Sequence, residues 1–280
     1  LLYLTPTKVQ AVHMRGWTQT FAGLHELKVT ENSPDGWLGA LEAALRLTST
    51  LGVRRVRVLV SDQLVRYFCF PWAEQLRNTQ EELSFARLQF DDTYGSGSNL
   101  DWTLSLSDEA PPRSRLACAI PLGLLEGLRS GLAQDRVKLL SVRPHLVCAI
   151  NSMTSLLPRN GWIMSHEPGR LTIAGWDDGG WKWVSSNRVF DETPATLLSR
   201  LRQELVLAGN VQDADGLPTQ VAVFSPRFVG HAWNPAEGIY FIPWSVESRK
   251  LKALISKASG PDSARGALSA YSHALAGAAS

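Results

Sequence analysis

Two stretches of this 280-residue chain, about 160 residues apart, carry the same order of apolar runs and breaks, and that repetition limits the fold more than any single residue does. In the first, Leu1–Leu4, Val9–Arg15 and Thr20–Val29 are short apolar or alternating runs separated by tight breaks. In the second, Gly161–Met164, Arg170–Trp176 and Trp181–Val184 repeat the series. Runs this short, bounded by turn residues, read as strands. Each trio leads to a helix with an entry signal. Ser33-Pro34 stands ahead of Trp37, Leu41 and Leu45 on one face, and Thr193-Pro194 ahead of Leu197, Leu201 and Leu205. A Ser or Thr N-cap accepts an otherwise unpaired N–H, and Pro at the first helical position presets φ. A repeated β-β-β-α unit predicts two lobes of similar topology, with any ligand expected in the cleft between them.

Between the repeats the pattern alternates strand and helix, which predicts α/β layering. Val56–Val60 and Tyr67–Pro71 read as strands, and Thr79-Gln80-Glu81-Glu82 as a capping box. The box opens a helix carrying Leu83, Ala86, Phe90 and Tyr94 that closes at Gly95. Asp101–Leu106 alternates as an exposed strand does, and Ser107–Ser114 with Pro111-Pro112 is a loop. Then come strand Leu116–Ile120, helix Leu122–Leu132, strand Val137–Val142 and helix Pro144–Met153, and Ser155–Asn160 links the halves. In the second half Asp178-Gly179-Gly180 reads as a hairpin turn and Thr196–Leu207 as a helix. Strands Val221–Phe224 and Ile239–Ile242 follow, with an Ala-rich closing helix over Ala264–Ala276.

A formal charge of +2 without a block of like charges gives no footprint for nucleic acid. The Arg54-Arg55 and Arg57 cluster beside a strand reads as a solvated edge. Cys69, Cys118 and Cys148 are an odd set inside apolar stretches, which reads as buried thiols in a reducing compartment. No apolar run reaches the roughly 18 residues a membrane span needs, and the expectation is a cytoplasmic protein. The six histidines lack metal-ligand spacing. The pairs Asp91-Asp92, Asp177-Asp178 and Asp213-Asp215 fall where turns and helix ends want Asp anyway. Ser61 follows a strand without a Gly-x-Ser-x-Gly elbow, so a hydrolase triad lacks support. Ten tryptophans read first as core and sheet-face packing and second as anchors in a binding groove. Phe68, Phe70 and Trp72 alternate toward one side of a strand, which is either core or a docking edge.

Four stretches carry a resemblance to a known family: Val56–Trp72 (VRVLVSDQLVRYFCFPW), Glu82–Gly95 (ELSFARLQFDDTYG), Arg115–Ile150, and Ala270–Gly277 (AYSHALAG). With the repeated β-β-β-α unit, they resemble the PilM and GspL proteins, actin-like components of type IV pilus and type II secretion machines. The resemblance implies a duplicated actin-like (ribonuclease-H-like) α/β fold. It would have a first lobe over 1–154 with an inserted subdomain at about 62–114, and a second lobe over 155–280. It also implies a cytoplasmic protein at the inner membrane, peripheral to it. Such a protein would bind inner-membrane assembly proteins of the machine or its ATPase, with a homodimer compatible.

Nucleotide-binding members of the superfamily carry acidic, glycine-bearing turns that organise Mg²⁺ and phosphate. Here the first turn reads Leu4-Thr5-Pro6-Thr7-Lys8 and the second Ser165-His166-Glu167-Pro168-Gly169, each with a proline in place of a donor N–H. An adenosine-type Gly-Gly pair is absent from the second half's strand–helix junction. The expectation is a non-catalytic scaffold without cofactor. ATP with Mg²⁺ is disfavoured, and Thr5, Thr7, Lys8, Ser165 and Gly169 are the residues that would touch it. Phe68, Phe70, Trp72 and Trp102 are the expected partner-binding residues. The rival readings are an actin-fold ATPase or kinase, and a Trp-rich ligand-binding protein.

Overall fold

A computed structural model describes residues 1–15, 20–29, 36–76, 78–153, 157, 159–209, 219–225 and 239–243. The expected closing helix and the Ala270–Gly277 stretch lie outside them. By packing, the described chain divides into two units, Leu1–Val65 with Ile120–Ser152 and Arg66–Ala119 with Met153–Ser245. The lobe boundaries expected from the sequence follow chain order instead.

In the first unit, β1 (Leu2–Leu4), β2 (Lys8–Arg15), β3 (Thr20–Lys28), β4 (Arg55–Val60) and β8 (Lys138–Pro144) form one sheet in the order β3-β2-β1-β4-β8. The meander is antiparallel, whereas β1, β4 and β8 run parallel. Parallel strands are covered on both faces, which accounts for Leu4, Val58, Leu59 and Val60 all being buried.

Helix α1 (Trp37–Leu51) starts behind Gly36, in a left-handed conformation (φ 64°), without a side-chain cap. The N-cap expected at Ser33 is therefore corrected, and Ser33-Pro34 lie outside the described residues. The expected face does pack. Trp37, Leu41 and Leu45 meet Gly123, Gly127 and Gly131 of α3 (Leu122–Gln134), where an added Cβ would come within 2.6, 2.3 and 2.5 Å of them. Three glycines at helical spacing let these two helices approach closely.

The second unit repeats the sheet. Strands β9 (Gly161–Glu167), β10 (Arg170–Asp177), β11 (Gly180–Arg188), β12 (Thr219–Phe224) and β13 (Ile239–Pro243) follow the order β11-β10-β9-β12-β13, position for position the order of the first sheet. The expected duplication of topology is present. The turn Asp178-Gly179 has positive φ at both residues (48° and 77°), the conformation a two-residue hairpin wants. Thr193 caps α5 (Pro194–Leu207) by accepting the Thr196 N–H, as expected, and Leu197, Leu201 and Leu205 enter the core with Trp162, Met164 and Ile173.

This unit also holds a three-stranded sheet, β5 (Arg66–Phe70), β7 (Arg115–Pro121) and β6 (Trp102–Leu106) in the order β5-β7-β6, backed by α2 (Thr79–Tyr94). The α2 N-cap is Asn78, which accepts from Gln80 and Glu81 N–H and donates to the Glu81 carboxylate, one residue ahead of the expected Thr79–Glu82 box. Asn gives the stronger cap, because its carbonyl reaches both N–H groups at 3.0 Å. The loop before β7 is pinned to the β10–β11 hairpin. Trp181 N–H donates to Ser114 O at 3.0 Å, the Ser114 hydroxyl donates to Trp181 O, and Trp181 Nε1 donates to Glu109 at 2.8 Å.

No disulfide joins Cys69, Cys118 and Cys148. Burial pushes Cys69 and Cys148 from 9.0 up to about 12, with Asp62 adding to the shift at Cys148 against an opposing pull from Arg143. A raised folded-state pKa adds stability that is complete below about pH 9 and is lost as pH climbs toward 12. The unfolding free energy from urea titrations should fall across this window by up to about 1.4 kcal/mol per pH unit per thiol. The C69A/C148A variant should show a shallower decline. Equal slopes would refute the assignment.

Candidate functional site

Strand register dictates which side chains meet at the ends of the parallel strands. In the first sheet Leu4 pairs with Val60 and Val60 with Pro144, so the next residues, Thr5, Ser61 and His145, leave the same end of the strands. Such carboxyl ends are where open α/β sheets bind ligands. Here Thr5 closes its own turn. Thr5 N–H and hydroxyl both donate to Lys8 O (3.0 and 2.8 Å), and the Thr5 hydroxyl accepts Lys8 N–H at 3.0 Å. The oxygens of Thr5 and Thr7 lie 3.4 Å apart. Lys8 Nζ meets Glu26 at 3.2 Å, and Gln10 donates to the same carboxylate oxygen at 2.7 Å. Burial pushes the Glu26 carboxyl up, but the bonds from Gln10 and Lys8 and the charges of Lys8 and Lys28 outweigh it, so Glu26 stays ionised below its ordinary range.

Behind this turn lies a fully buried pair. Asp62 accepts the Leu146 N–H at 3.0 Å, and its other oxygen lies 3.6 Å from His145 Nδ1. Because α4 (His145–Met153) begins here, Asp62 serves as its cap from a distant segment. Ser61, next to it, donates its N–H to Leu4 O and accepts from Gln63, so it is a turn-former.

In the second sheet Ser165 pairs with Phe224, so His166 and Ser225 emerge side by side, with His166 Nδ1 3.0 Å from the Ser225 hydroxyl. His166 Nε2 lies 3.9 Å from Glu192, and that carboxylate also accepts the N–H of Gly169. Gly169 has φ +80°, as a tight turn requires, and its carbonyl accepts Val189 N–H. Ser165 is buried in β9, as are His166 and Glu167. Hydroxyl, imidazole and carboxylate stand in a row here, but Ser225 is 5% exposed and is followed by Pro226. An acyl-transfer site needs a reachable nucleophile, and an elbow-type oxyanion hole needs an N–H on the residue after it.

The structure thus gathers Thr5, Thr7 and Lys8 in one turn and sets Ser165 and Gly169 about another. The Glu192 contact with Gly169 joins residues 23 apart in the chain, which no local pattern signals. The expected partner-binding residues divide. Phe68 and Phe70 are core residues of the three-stranded sheet, packed against Ala86 and Phe90, so the docking expectation for them is corrected: their side of β5 faces α2. Trp102 borders the same core, with the Arg66 guanidinium 5.7 Å from its ring and 5.4 Å from that of Tyr94. Trp72 is 39% exposed. Among the described residues no three His, Cys, Asp or Glu side chains gather as a metal site would need, and no helix is long and apolar enough to cross a membrane.

No protein-family model and no curated protein matches this sequence. Solved structures do match. The cytoplasmic domain of EpsL, an inner-membrane component of the type II secretion system of Vibrio cholerae, superimposes with a TM-score of 0.54 at 12% identity, over 92% of this chain and 94% of that one. The PilM–PilN type IV pilus biogenesis complex matches with a TM-score of 0.52 at 10% identity, over 97% of each chain. A Bacteroides thetaiotaomicron protein of actin-like ATPase fold and unknown function gives 0.51 at 10% identity, over 83% of this chain and 82% of that one. The first two match the resemblance to the PilM and GspL proteins that the sequence carries. At these identities the likeness is one of architecture: the chain has the actin-like fold, built twice.

Proposed function

We propose that this protein is a non-catalytic adaptor on the cytoplasmic side of an inner-membrane assembly platform, of the pilus or type II secretion kind, where it binds a membrane partner's tail or the assembly ATPase. One observation carries the reading: the groups that would hold phosphate are engaged by the protein's own side chains. Lys8 is neutralised by Glu26, the Thr5 hydroxyl closes its own turn, and the Gly169 N–H is taken by Glu192. A carboxylate standing where a phosphate oxygen would sit repels the phosphate as well as replacing it. The similarity to the EpsL cytoplasmic domain and to PilM supports the assembly context. Docking would use the outer edge of β6, the end strand of its sheet, which can take up an extended segment.

Calorimetry with Mg·ATP, with ADP as control, tests this. The expected result is no binding heat up to about millimolar nucleotide, roughly 4 kcal/mol or less of affinity. Micromolar binding would replace the adaptor with a nucleotide-switched actin-fold ATPase or kinase.

A further inference from the structure

At the opposite end of the parallel strands of the first sheet, where β1 and β4 begin, lies a cleft of about 470 Å³. Leu2 and Val12 are buried at its floor, 2% and 3% exposed, while Leu51 and Val53 line it half-buried and Arg54 and Arg55 stand exposed at its rim. Arg55 is the register partner of Lys138, and Arg136 sits two residues upstream on the turn that feeds β8. Among the described residues none of Arg54, Arg55, Arg136 and Lys138 meets a carboxylate within ion-pair distance. Segments 48–58 and 135–141 together hold Arg54, Arg55, Arg57, Arg136 and Lys138 against the single acid Asp135.

We infer that this cleft is a docking site for an acidic partner segment bearing a bulky apolar anchor. The argument joins shape to charge. Its apolar groups are recessed, so they accept an inserted side chain and cannot enter a flat lipid surface, as an amphipathic membrane-binding face does. The rim supplies positive charge with no internal partner, which attracts carboxylates and selects against basic segments. The inference does not rest on the adaptor reading, since an enzyme of this fold could carry the same cleft. Nucleotide and peptide titrations fail independently of each other.

The test is fluorescence anisotropy with a labelled peptide of roughly ten residues, alternating leucine with glutamate, which reaches about 33 Å when extended and so overhangs the cleft on either side. Its leucine–lysine counterpart and vesicles of phosphatidylglycerol mixed with phosphatidylcholine are run beside it. The expected result is saturable binding of the acidic peptide alone, weakened at least about tenfold in R54E/R55E and severalfold in V53S, and falling with salt. R54Q/R55Q, a milder change at the same exposed positions, should give an intermediate loss, with circular dichroism unchanged. Equal binding of both peptides, or no effect of the arginine variants, would overturn the inference. Vesicle binding without peptide binding would overturn it in favour of a lipid surface. No peptide binding, with a lower melting temperature in R54E/R55E, would overturn it by assigning the cleft to another segment of this chain.

Discussion

Replacing Asp62 with alanine should lower stability by about 3 kcal/mol. Asp62 is completely buried beside an equally buried His145 and accepts the Leu146 N–H in the first turn of α4. Alanine leaves that N–H without its acceptor in a region closed to water, and leaves the imidazole without its carboxylate. Asparagine keeps one oxygen for Leu146 and discards the charge, so Asp62→Asn should cost markedly less. Urea unfolding followed by tryptophan fluorescence gives both values. Equal losses in the two variants would mean that the His145 contact, and not the cap, carries the energy. A loss below about 1 kcal/mol in both would show that the pair is replaceable.

Gly175→Val should cost about 3 kcal/mol, at the upper end of what overpacking does. A Cβ at this position would lie 2.8, 2.8 and 2.9 Å from three atoms of the Trp162 ring, on the residue directly opposite in β9. That ring is 4% exposed and packed in the second sheet's core, so it has no space to swing aside. The clash at Gly127 is numerically closer, 2.3 Å, but meets the terminal methyl of Leu41, which can rotate away, and so should cost less. A double-mutant cycle with Trp162→Phe separates the causes. If steric overlap sets the cost, the smaller ring should recover part of it, and full additivity would sink that account.

Local chemistry was legible in the sequence and non-local chemistry was not. Thr193-Pro194 announced its helix because cap and first turn lie within four residues, and Asp178-Gly179 announced its hairpin for the same reason. The Asn78 cap was misplaced by one residue, because Thr79 and Glu82 satisfy the same spacing rule as Asn78 and Glu81. Alternation told that Phe68 and Phe70 share a side of β5, but which side faces α2 is decided by the sheet they join. Glycines at 123, 127 and 131 were visible, and their meaning required the partner helix that presents Trp37, Leu41 and Leu45. Least visible were the occupants of the strand ends. Asp62 and His145 are 83 residues apart in the numbering, and only the order β1-β4-β8 makes them neighbours.

Neither packing unit is a continuous piece of chain. The path passes from the first unit to the second after Val65, back after Ala119, and across again after Ser152. During synthesis β4 therefore emerges well before β8, the neighbour that covers its outer edge, while residues 66–119 in between belong to the second unit, whose hairpin at Trp181 has not yet been made. A bare apolar strand waiting for a distant partner is the kind of edge that pairs with another chain. In β4 the run RVRVLV opens with Arg55 and Arg57, and Arg54 stands just before it. Charges so placed discourage association of newly made chains until Lys138–Pro144 arrives to close the sheet.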